Sequence, residues 1–541
     1  MSKVYALLAE VRSIQEYLFA GGKLKDMVAA SDRLDRLWGE VLDDIVAAAA
    51  IGEPEDVIRK GGGAYTAIFN NESSALKLKA LLSAFVAHYL PDVQFLVAVV
   101  GGETYQEAVS AGYSRLAQIR NSVTPKFPPA SPFAMINART GEPAVERERY
   151  GDREEIDEAT RTKRNHSDRL RKRSHGGSNA AGKTLESKFA PGFQGQWPVN
   201  MEEDFETLHG TDVAIIHADG NGLGLLLQKF NDIAGELDNK EYARLYRTFS
   251  EALEAACILA ASEATMKILL NDSQAPHVMP MRPLVLGGDD LTVIIKADLA
   301  LGFAQEFCLA FEANTKDMLA RLKNKPFGAR LKGLPERLTA CAGIVFAKSG
   351  QPFLAAYHLS EALCKHAKDA GRSFGDRMPS AICFHRPGNS LLSSYEQALG
   401  SELCVRLDNE RTLQLTMGAY ALGAYHTSLP VHLEPLLAAL DVLSRESIPV
   451  GPLRSMATTL FETPMRARDR YHRWWSNLDT DAGQRELKAE LAELWSRLLG
   501  PDADDQAFPE KALETSNQLV TPLGDLLTLL SVQDLRSKAN G

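Results

Sequence analysis

Two ferredoxin-like β-α-β-β-α-β cores followed by a C-terminal helical bundle, an α+β fold, are predicted by three observations. The order of apolar strands and amphipathic helices in residues 4–120 recurs in residues 213–385. Each copy contains a glycine-rich turn between two short apolar strands. Beyond about Asn389 the pattern is helical almost to the end, broken at Pro430, Pro449, Pro452, Pro464 and Pro501.

The first copy opens with Val4 to Val11, an apolar run of strand length. Helical spacing of Leu and Ala follows from about Lys23 to Ala50. Val57 to Lys60 and Ala64 to Phe69 flank Gly61-Gly62-Gly63 and read as a hairpin. Ser73 to Tyr89 is a second helix, Val93 to Val100 a strand and Thr104 to Arg120 a third helix. Four prolines between Asn121 and Pro132 then interrupt regular structure. Residues 139–189 are polar and include a basic block, Arg161 to Arg173, with seven Lys/Arg and one acid. Ser174 to Gly182 is rich in Gly, Ser and Asn and reads as mobile.

In the second copy, Val213 to His217 is a strand that runs into Asp219-Gly220-Asn221-Gly222. Helices begin at Leu223 and at about Tyr242. Leu284 to Ile295 holds two strands joined at Gly287-Gly288-Asp289-Asp290. Ala297 to Leu322 is helical, Leu338 to Ala347 a strand, Leu354 to Ala370 a helix and Ala381 to His385 a last strand. The predicted domains are residues 1–138, a polar and basic linker 139–205, residues 206–388, and a helical domain 389–541.

Composition excludes several classes. Hydrophobic residues make up 45% and charged residues 24%, ordinary for a globular protein. A net charge of −10 argues against a uniformly basic nucleic-acid coat. The six cysteines, Cys257, Cys308, Cys341, Cys364, Cys383 and Cys404, lie in apolar surroundings with no C-x-x-C pair. They read as core residues of a reducing cytoplasm, with neither disulfides nor a zinc site expected. Met1 to Glu10 has no signal-peptide pattern, and no run of eighteen apolar residues is present, so no membrane association is expected.

Three acids carry the chemistry. Phosphoryl transfer on a nucleoside triphosphate needs charge neutralisation and in-line geometry more than covalent help. Two Mg²⁺- or Mn²⁺-type ions about 3.5–4 Å apart supply both. Such ions take hard oxygen ligands. Asp219 stands where an apolar strand runs out into glycines, and Asp289 and Asp290 stand in a hairpin turn. In a β-α-β-β core the first strand lies beside the hairpin, which makes these three the candidate catalytic and metal-holding residues. Adjacent strand residues face opposite ways, so which of Asp289 and Asp290 is the stronger ligand stays open. Gly220, Asn221 and Gly222, with Gly287 and Gly288, are the candidate nucleotide-binding backbone, because glycine and a helix N-terminus admit a phosphate closely.

Residues 1 to about 390 resemble the large palm-domain subunit of type III CRISPR effector complexes, the Cas-ten or Cmr-two family. The resemblance rests on Gly287-Gly288-Asp289-Asp290 preceded by Asp219, on Thr339 to Phe346, Pro352 and Ala362 to Lys368, and, in the first copy, on Ser13 to Phe19, Ala30 to Leu34 and the triplet at Gly61. It implies two palm domains, the second converting ATP into cyclic oligoadenylate second messengers when the complex holds a target RNA. It further implies crRNA, target RNA and other effector subunits as partners within a ribonucleoprotein. Lys368 becomes a candidate triphosphate contact, and Gly61, Gly62 and Gly63 become candidate contacts to a partner nucleotide.

Departures from the family sharpen the expectation. No His-Asp pair precedes the first core, so a form without the HD nuclease domain is expected. Residues 139–173 contain no cysteine where many members carry a zinc cluster, so a metal-free loop is expected there. The first core has Gly62-Gly63-Ala64-Tyr65 in its hairpin and Glu10 on its strand, and looks like a partner that holds nucleotide without chemistry.

Four smaller signals each have two readings. Lys365 shares a helix face with Lys368 and is either a second phosphate contact or solvated. His217 is either a nucleotide contact or a buried histidine. Arg161 to Arg173 is either an RNA-phosphate patch or a solvated loop. Trp474 and Trp475, near Arg466, Arg468, Arg470 and Arg473, form either a docking surface or a helix-packing core. Two other functions compete with the effector enzyme: a stand-alone palm-type signalling cyclase in antiphage defence, and a non-catalytic scaffold for crRNA and subunits.

Overall fold

The computed structural model describes the chain except residues 1–2, 49–52, 123–130, 132, 149–152, 176–183, 207–211, 271–275, 326–327, 332, 389–391, 393, 409, 424–430, 446–447, 480–481, 501–507, 514–516 and 540–541. Most of the segment read from sequence as mobile, Ser174 to Gly182, lies outside the described residues. The chain divides into two compact units. One comprises Met1–Asp204, Gly222–Val293 and Ala310–Leu338; the other comprises Phe205–Asn221, Ile294–Leu309 and Thr339–Gly541.

The first unit contains a four-stranded antiparallel sheet in the order β2-β3-β1-β4. Its strands are β1 (Val4–Arg12), β2 (Asp56–Gly61), β3 (Ala64–Phe69) and β4 (Gln94–Gly102). β1 is central because its residues are apolar on both faces, Ala6, Leu7 and Leu8 being no more than 1% exposed. Helices α1 (Ile14–Phe19), α2 (Leu24–Arg36), α3 (Leu42–Ala48), α4 (Glu72–Tyr89) and α5 (Tyr105–Asn121) complete the core. The single helix expected from Lys23 to Ala50 is interrupted: a π-helical stretch over Leu37–Val41 contains Gly39 at φ −97° and ψ −116°, outside helical space. α5 starts where the Thr104 hydroxyl accepts from the Glu107 N–H. It lies close on β1 because residue 112 is glycine; a Cβ there would stand 2.2 Å from Leu8 Cδ1.

The basic block in the segment after α5, read either as an RNA-phosphate patch or as a solvated loop, is helical. After the short strands β5 (Glu146–Arg147) and β6 (Glu155–Ile156), the basic block lies in helix α6 (Glu158–His175). Arg164 is buried and pairs with Asp26 at 3.3 Å, Glu148 at 2.8 Å and Glu154 at 3.0 Å. Lys163 is buried, donates to the Tyr17 carbonyl at 2.5 Å, and sits 4.0 Å from the Tyr17 ring centroid. Burial lowers its pKa to about 8. Burial raises the Glu154 pKa, but hydrogen bonds from Arg139, Arg164 and Lys23 outweigh it and bring it to about 2. The RNA-patch reading fails for Lys163 and Arg164, which are buried, Lys163 against the Tyr17 carbonyl and ring and Arg164 against Asp26, Glu148 and Glu154. α7 (Leu185–Phe189) follows.

The same unit holds α8 (Leu223–Ala234), α9 (Asn239–Leu269) and the start of a hairpin, β8 (Met281–Gly287) and β9 (Asp290–Lys296). α9 begins with a capping box, Asp238 and Glu241 each accepting from the other's backbone N–H. Ala234, Tyr242 and Ala243 join Val4, Leu8, Ile68 and Leu116 in one buried cluster. Asp56 on β2 ties α9 down through Arg247 at 3.2 Å and Lys240 at 2.9 Å.

The second unit contains β7 (Asp212–Gly220), β10 (Ala340–Lys348), β11 (Ala381–His385), β14 (Ala419–Ala421) and β15 (Val431–His432) in the order β15-β14-β11-β10-β7. α11 (Phe353–Gly371) covers β10. Their approach requires Gly343, where a Cβ would stand 2.0 Å from the Ser360 carbonyl oxygen. Of α10 (Ala297–Lys323), residues 297–309 belong to the second unit and 310–323 to the first.

The rest of the second unit is helical as expected, with α12 (Tyr395–Ala398), α13 (Leu433–Leu443), α14 (Gly451–Glu462), α15 (Pro464–Asn477), α16 (Ala482–Leu499) and α17 (Leu523–Ala539). It also holds strands that sequence did not predict. β12 (Cys404–Arg406), β13 (Thr412–Gln414), β16 (Lys511–Ala512) and β17 (Gln518–Val520) form a sheet in the order β12-β13-β17-β16. Trp474 and Trp475 are each 3% exposed, and the Trp474 indole donates to the Pro449 carbonyl at 2.9 Å. Tyr471 stacks on Trp475, so these rings pack helices and offer no docking surface. Among the described residues no helix is long and apolar enough to cross a membrane.

Candidate active site

β7 buries Val213 through Ala218 and then presents Asp219, whose side chain is 38% accessible. Asp219 pairs in register with Cys341 of β10. Lys368, in the last turn of α11, donates to Asp219 Oδ2 and, at 2.9 Å, to the Gly220 carbonyl. Burial works against the Lys368 ammonium, yet the charge and hydrogen bond of Asp219 outweigh it and hold its pKa above the usual lysine value. Lys365, on the same helix, is exposed and makes no such contact with Asp219. The two lysines are thereby separated in role.

Asn221 turns inward. Its amide nitrogen reaches Thr339 Oγ1 at 2.9 Å and Cys341 Sγ at 3.3 Å, and its backbone N–H donates to the Thr339 carbonyl at 2.7 Å. Its side chain therefore braces the end of β7 against the entry to β10. His217 is also buried, edge-on to Tyr357 with ring centroids 5.9 Å apart. Burial lowers its pKa and favours the neutral ring. This fits the buried-histidine reading. Gly222 caps α8 at φ +79° with no side-chain cap, and a Cβ there would meet nothing within 4 Å. The first N–H groups of α8 are not covered by a capping side chain, the condition under which a helix N-terminus takes up anions.

The Gly287-Gly288-Asp289-Asp290 motif forms the turn between β8 and β9. Gly288 and Asp289 are the two turn residues, and Gly288 has φ +63°, which explains glycine there. Asp289 and Asp290 are half-buried. The first core's turn is beside it: a Cβ on Gly287 would lie 3.7 Å from the Gly62 Cα. Gly62 and Gly63 have φ +56° and +75°, both left-handed, as a tight two-residue hairpin demands. Gly61 is next to Glu254 of α9; a Cβ there would lie 3.4 Å from Glu254 Oε2. Burial, and then the charges of Asp289, Asp290 and Glu254, push the Cys257 thiol far up, while Lys188 opposes them.

Glu254 and Lys188 were not found from sequence. Glu254 sits mid-helix in an alanine- and leucine-rich stretch, and Lys188 in a polar segment, so neither carries a motif. Among the described residues no three His, Cys, Asp or Glu side chains gather closely enough to hold a metal ion. Asp289 and Asp290 still bring two hard-oxygen groups to one turn. A Mg²⁺-type ion takes one or two carboxylates and completes its shell with water and phosphate. The donor set thus fits a cation carried in on the phosphates of a nucleotide.

The family model of Cas10/Cmr2, second palm domain, matches residues 212–374. Among solved structures, the chain is similar to a Csm1–Csm4 cassette in complex with cA4, at TM-score 0.51 and 14% identity over 99% of this chain and 70% of that chain. A Csm1–Csm4 cassette in complex with pppApA gives TM-score 0.52 and 13% identity over 99% and 69%. At these identities the likeness is one of fold. No curated protein matches the sequence.

Proposed function

We propose, from the match of residues 212–374 to the model of the Cas10/Cmr2 second palm domain, that this chain is a nucleotidyltransferase that joins ATP into cyclic oligoadenylates as the large subunit of a type III CRISPR effector. The observation that carries the reading is that the matched segment encloses Asp219, the Gly287–Asp290 turn and Lys368 together. The neighbouring structures named for cA4 and pppApA support adenylate joining, and their pairing of Csm1 with Csm4 supports other effector subunits as partners. The guide and target RNAs remain part of the proposal by the same resemblance.

In this reading a 3′-hydroxyl oxygen bonds to an α-phosphorus, the bond to the β-phosphate bridging oxygen breaks, pyrophosphate leaves, and the hydroxyl proton passes to solvent. Two divalent cations, when bound, would neutralise the phosphate oxygens and lower the barrier at both reacting oxygens. Asp289 and Asp290 would hold a cation at the acidic turn, and Asp219 is proposed as a further carboxylate ligand. Lys368 pairs with Asp219 and would supply a cation to phosphate where Asp219 engages a metal. The Gly61–Gly63 turn holds the partner nucleotide, since it offers glycine backbone and has no acid of its own.

The test is purified protein with ATP and Mg²⁺ or Mn²⁺, products resolved by mass, with and without guide and target RNA. Linked adenylates that increase with target RNA are expected. Products made equally without RNA would favour the stand-alone cyclase, and no product under any condition would favour the scaffold.

A further inference from the structure

The segment between the two cores supplies a residue that the reading above does not use. α7 is anchored by Leu185, 5% exposed, and Phe189, fully buried. Between them Lys188 projects a side chain only 14% accessible. Its ammonium lies 2.7 Å from Asp35 Oδ1 and 3.8 Å from Glu254 Oε1. The other oxygen of Glu254 faces Gly61. Gly62, the next residue, faces Gly287 at the start of the acidic turn. Cys257, three residues along α9 from Glu254, feels Asp289, Asp290 and Glu254 as negative charges and Lys188 as a positive one. Glu254 and the two acids of the second turn thus stand near the meeting point of two glycine turns, where Arg59 lies beside Gly62 and Lys188 is the buried base beside Glu254.

A triphosphate is itself a polyanion. Three carboxylates repel it unless cations balance them, and a half-buried ammonium is screened less by salt than an exposed one. Resting on the adenylate-joining reading of this site, we propose that Lys188 is a positioning residue for the nucleotide: its ammonium fixes Glu254 beside the Gly61–Gly63 turn and offsets the negative potential at the approach to both turns. The ordinary alternative is that Lys188 only ties α7 to α2 through Asp35. The two differ in what they move: the first moves nucleotide affinity through charge, the second moves stability.

The experiment uses the full-length chain and equilibrium binding of ATP with Mg²⁺, alongside steady-state joining and thermal melting. Lys188→Ala should weaken ATP binding roughly tenfold, with kcat changing about threefold or less, because a ground-state electrostatic contact is lost. Lys188→Arg should restore binding. Glu254→Gln added to Lys188→Ala should recover most of the loss, as expected for coupled charges. Asp35→Asn should lower the melting temperature without moving ATP affinity. Unchanged ATP affinity in Lys188→Ala would overturn the inference. So would a weakening that neither Lys188→Arg nor the second substitution relieves. The adenylate-joining reading fails separately: Asp289→Asn with Asp290→Asn would still join ATP at the wild-type rate, and the binding arm would decide the role of Lys188 regardless.

Discussion

The two cores repeat one arrangement with different residues. In the first, Glu10 of β1 pairs at 2.7 Å with Arg120 in the last turn of α5. In the second, Asp219 of β7 pairs with Lys368 in the last turn of α11. The elements correspond: β1 pairs antiparallel with β4, which leads into α5, and β7 pairs antiparallel with β10, which leads into α11. The turns do not correspond in chemistry. One reads Gly62-Gly63-Ala64 and the other Gly288-Asp289-Asp290. A strand carboxylate with a basic partner is therefore a shared feature of both cores. The acids of the turn are what distinguish the core proposed to do chemistry from the core proposed to hold nucleotide.

Removing the distinguishing feature should have the largest effect. Asp289→Ala with Asp290→Ala should cut adenylate joining by at least ~10³-fold, the scale of losing a metal-holding site. Its melting temperature without metal should hold or rise, because two neighbouring like charges are gone. Product formation by mass and a thermal melt check both halves.

Breaking the shared feature in the second core should cost less. Lys368→Ala should lower turnover by roughly 10²-fold, consistent with loss of one positioned cation at a phosphate. Steady-state rates at saturating ATP measure it. Lys365→Ala, on the exposed side of α11, should leave the rate within about twofold, as surface substitutions usually do.

The two glycines of the first turn should separate binding from folding. Gly62→Leu meets only the end of the flexible Arg59 side chain at 3.2 Å, and its cost is mainly that of φ +56°. It should cut turnover sharply with a loss of about 1–2 kcal/mol in stability. Gly63→Leu would place a Cβ 2.8 Å from Ile14 Cδ1 as well as at φ +75°, and should lower stability by about 1–3 kcal/mol more. Normal melting with normal activity in Gly62→Leu would show that the first turn has no direct role.

The smallest effect should come from Glu10→Gln. Arg120 is 40% exposed, and such pairs contribute about 0–1 kcal/mol. Joining activity within about twofold of wild type is expected from a steady-state assay. A large loss would mean that the first core's strand acid takes part in chemistry and that the comparison above is drawn at the wrong residues.

Strands β1 to β4, β7 to β11 and the acidic turn were legible in the sequence because their signals are local. Val213 to His217 is apolar without interruption, and Gly288 stands where a two-residue turn needs a left-handed φ. Asp219 was legible as the residue that ends an apolar strand. What escaped depends on contacts distant in sequence. The α6 block looked solvated because its acids, Asp26, Glu148 and Glu154, lie outside it. Glu254 and Lys188 approach the turns only after α9 and α7 have packed. Strands β12 to β17 are two or three residues long, too short for alternation to register against the helical pattern around them. Asn221 was expected near nucleotide as part of a polar run, yet Thr339 and Cys341 occupy its side chain.

The most direct test exchanges the two turns and measures product by mass. One variant carries Asp289→Gly with Asp290→Ala, which gives the second turn the first turn's residues. The other carries Gly63→Asp with Ala64→Asp, which does the reverse. With ATP and Mg²⁺ or Mn²⁺, under the conditions in which wild type joins adenylates, the first variant should melt like wild type and make no linked product. The second puts two acids into the turn proposed to hold nucleotide, and should weaken ATP binding and lower joining wherever it stays folded. Linked product from the first variant at the wild-type rate would contradict the assignment of the chemistry to the Asp289-Asp290 turn.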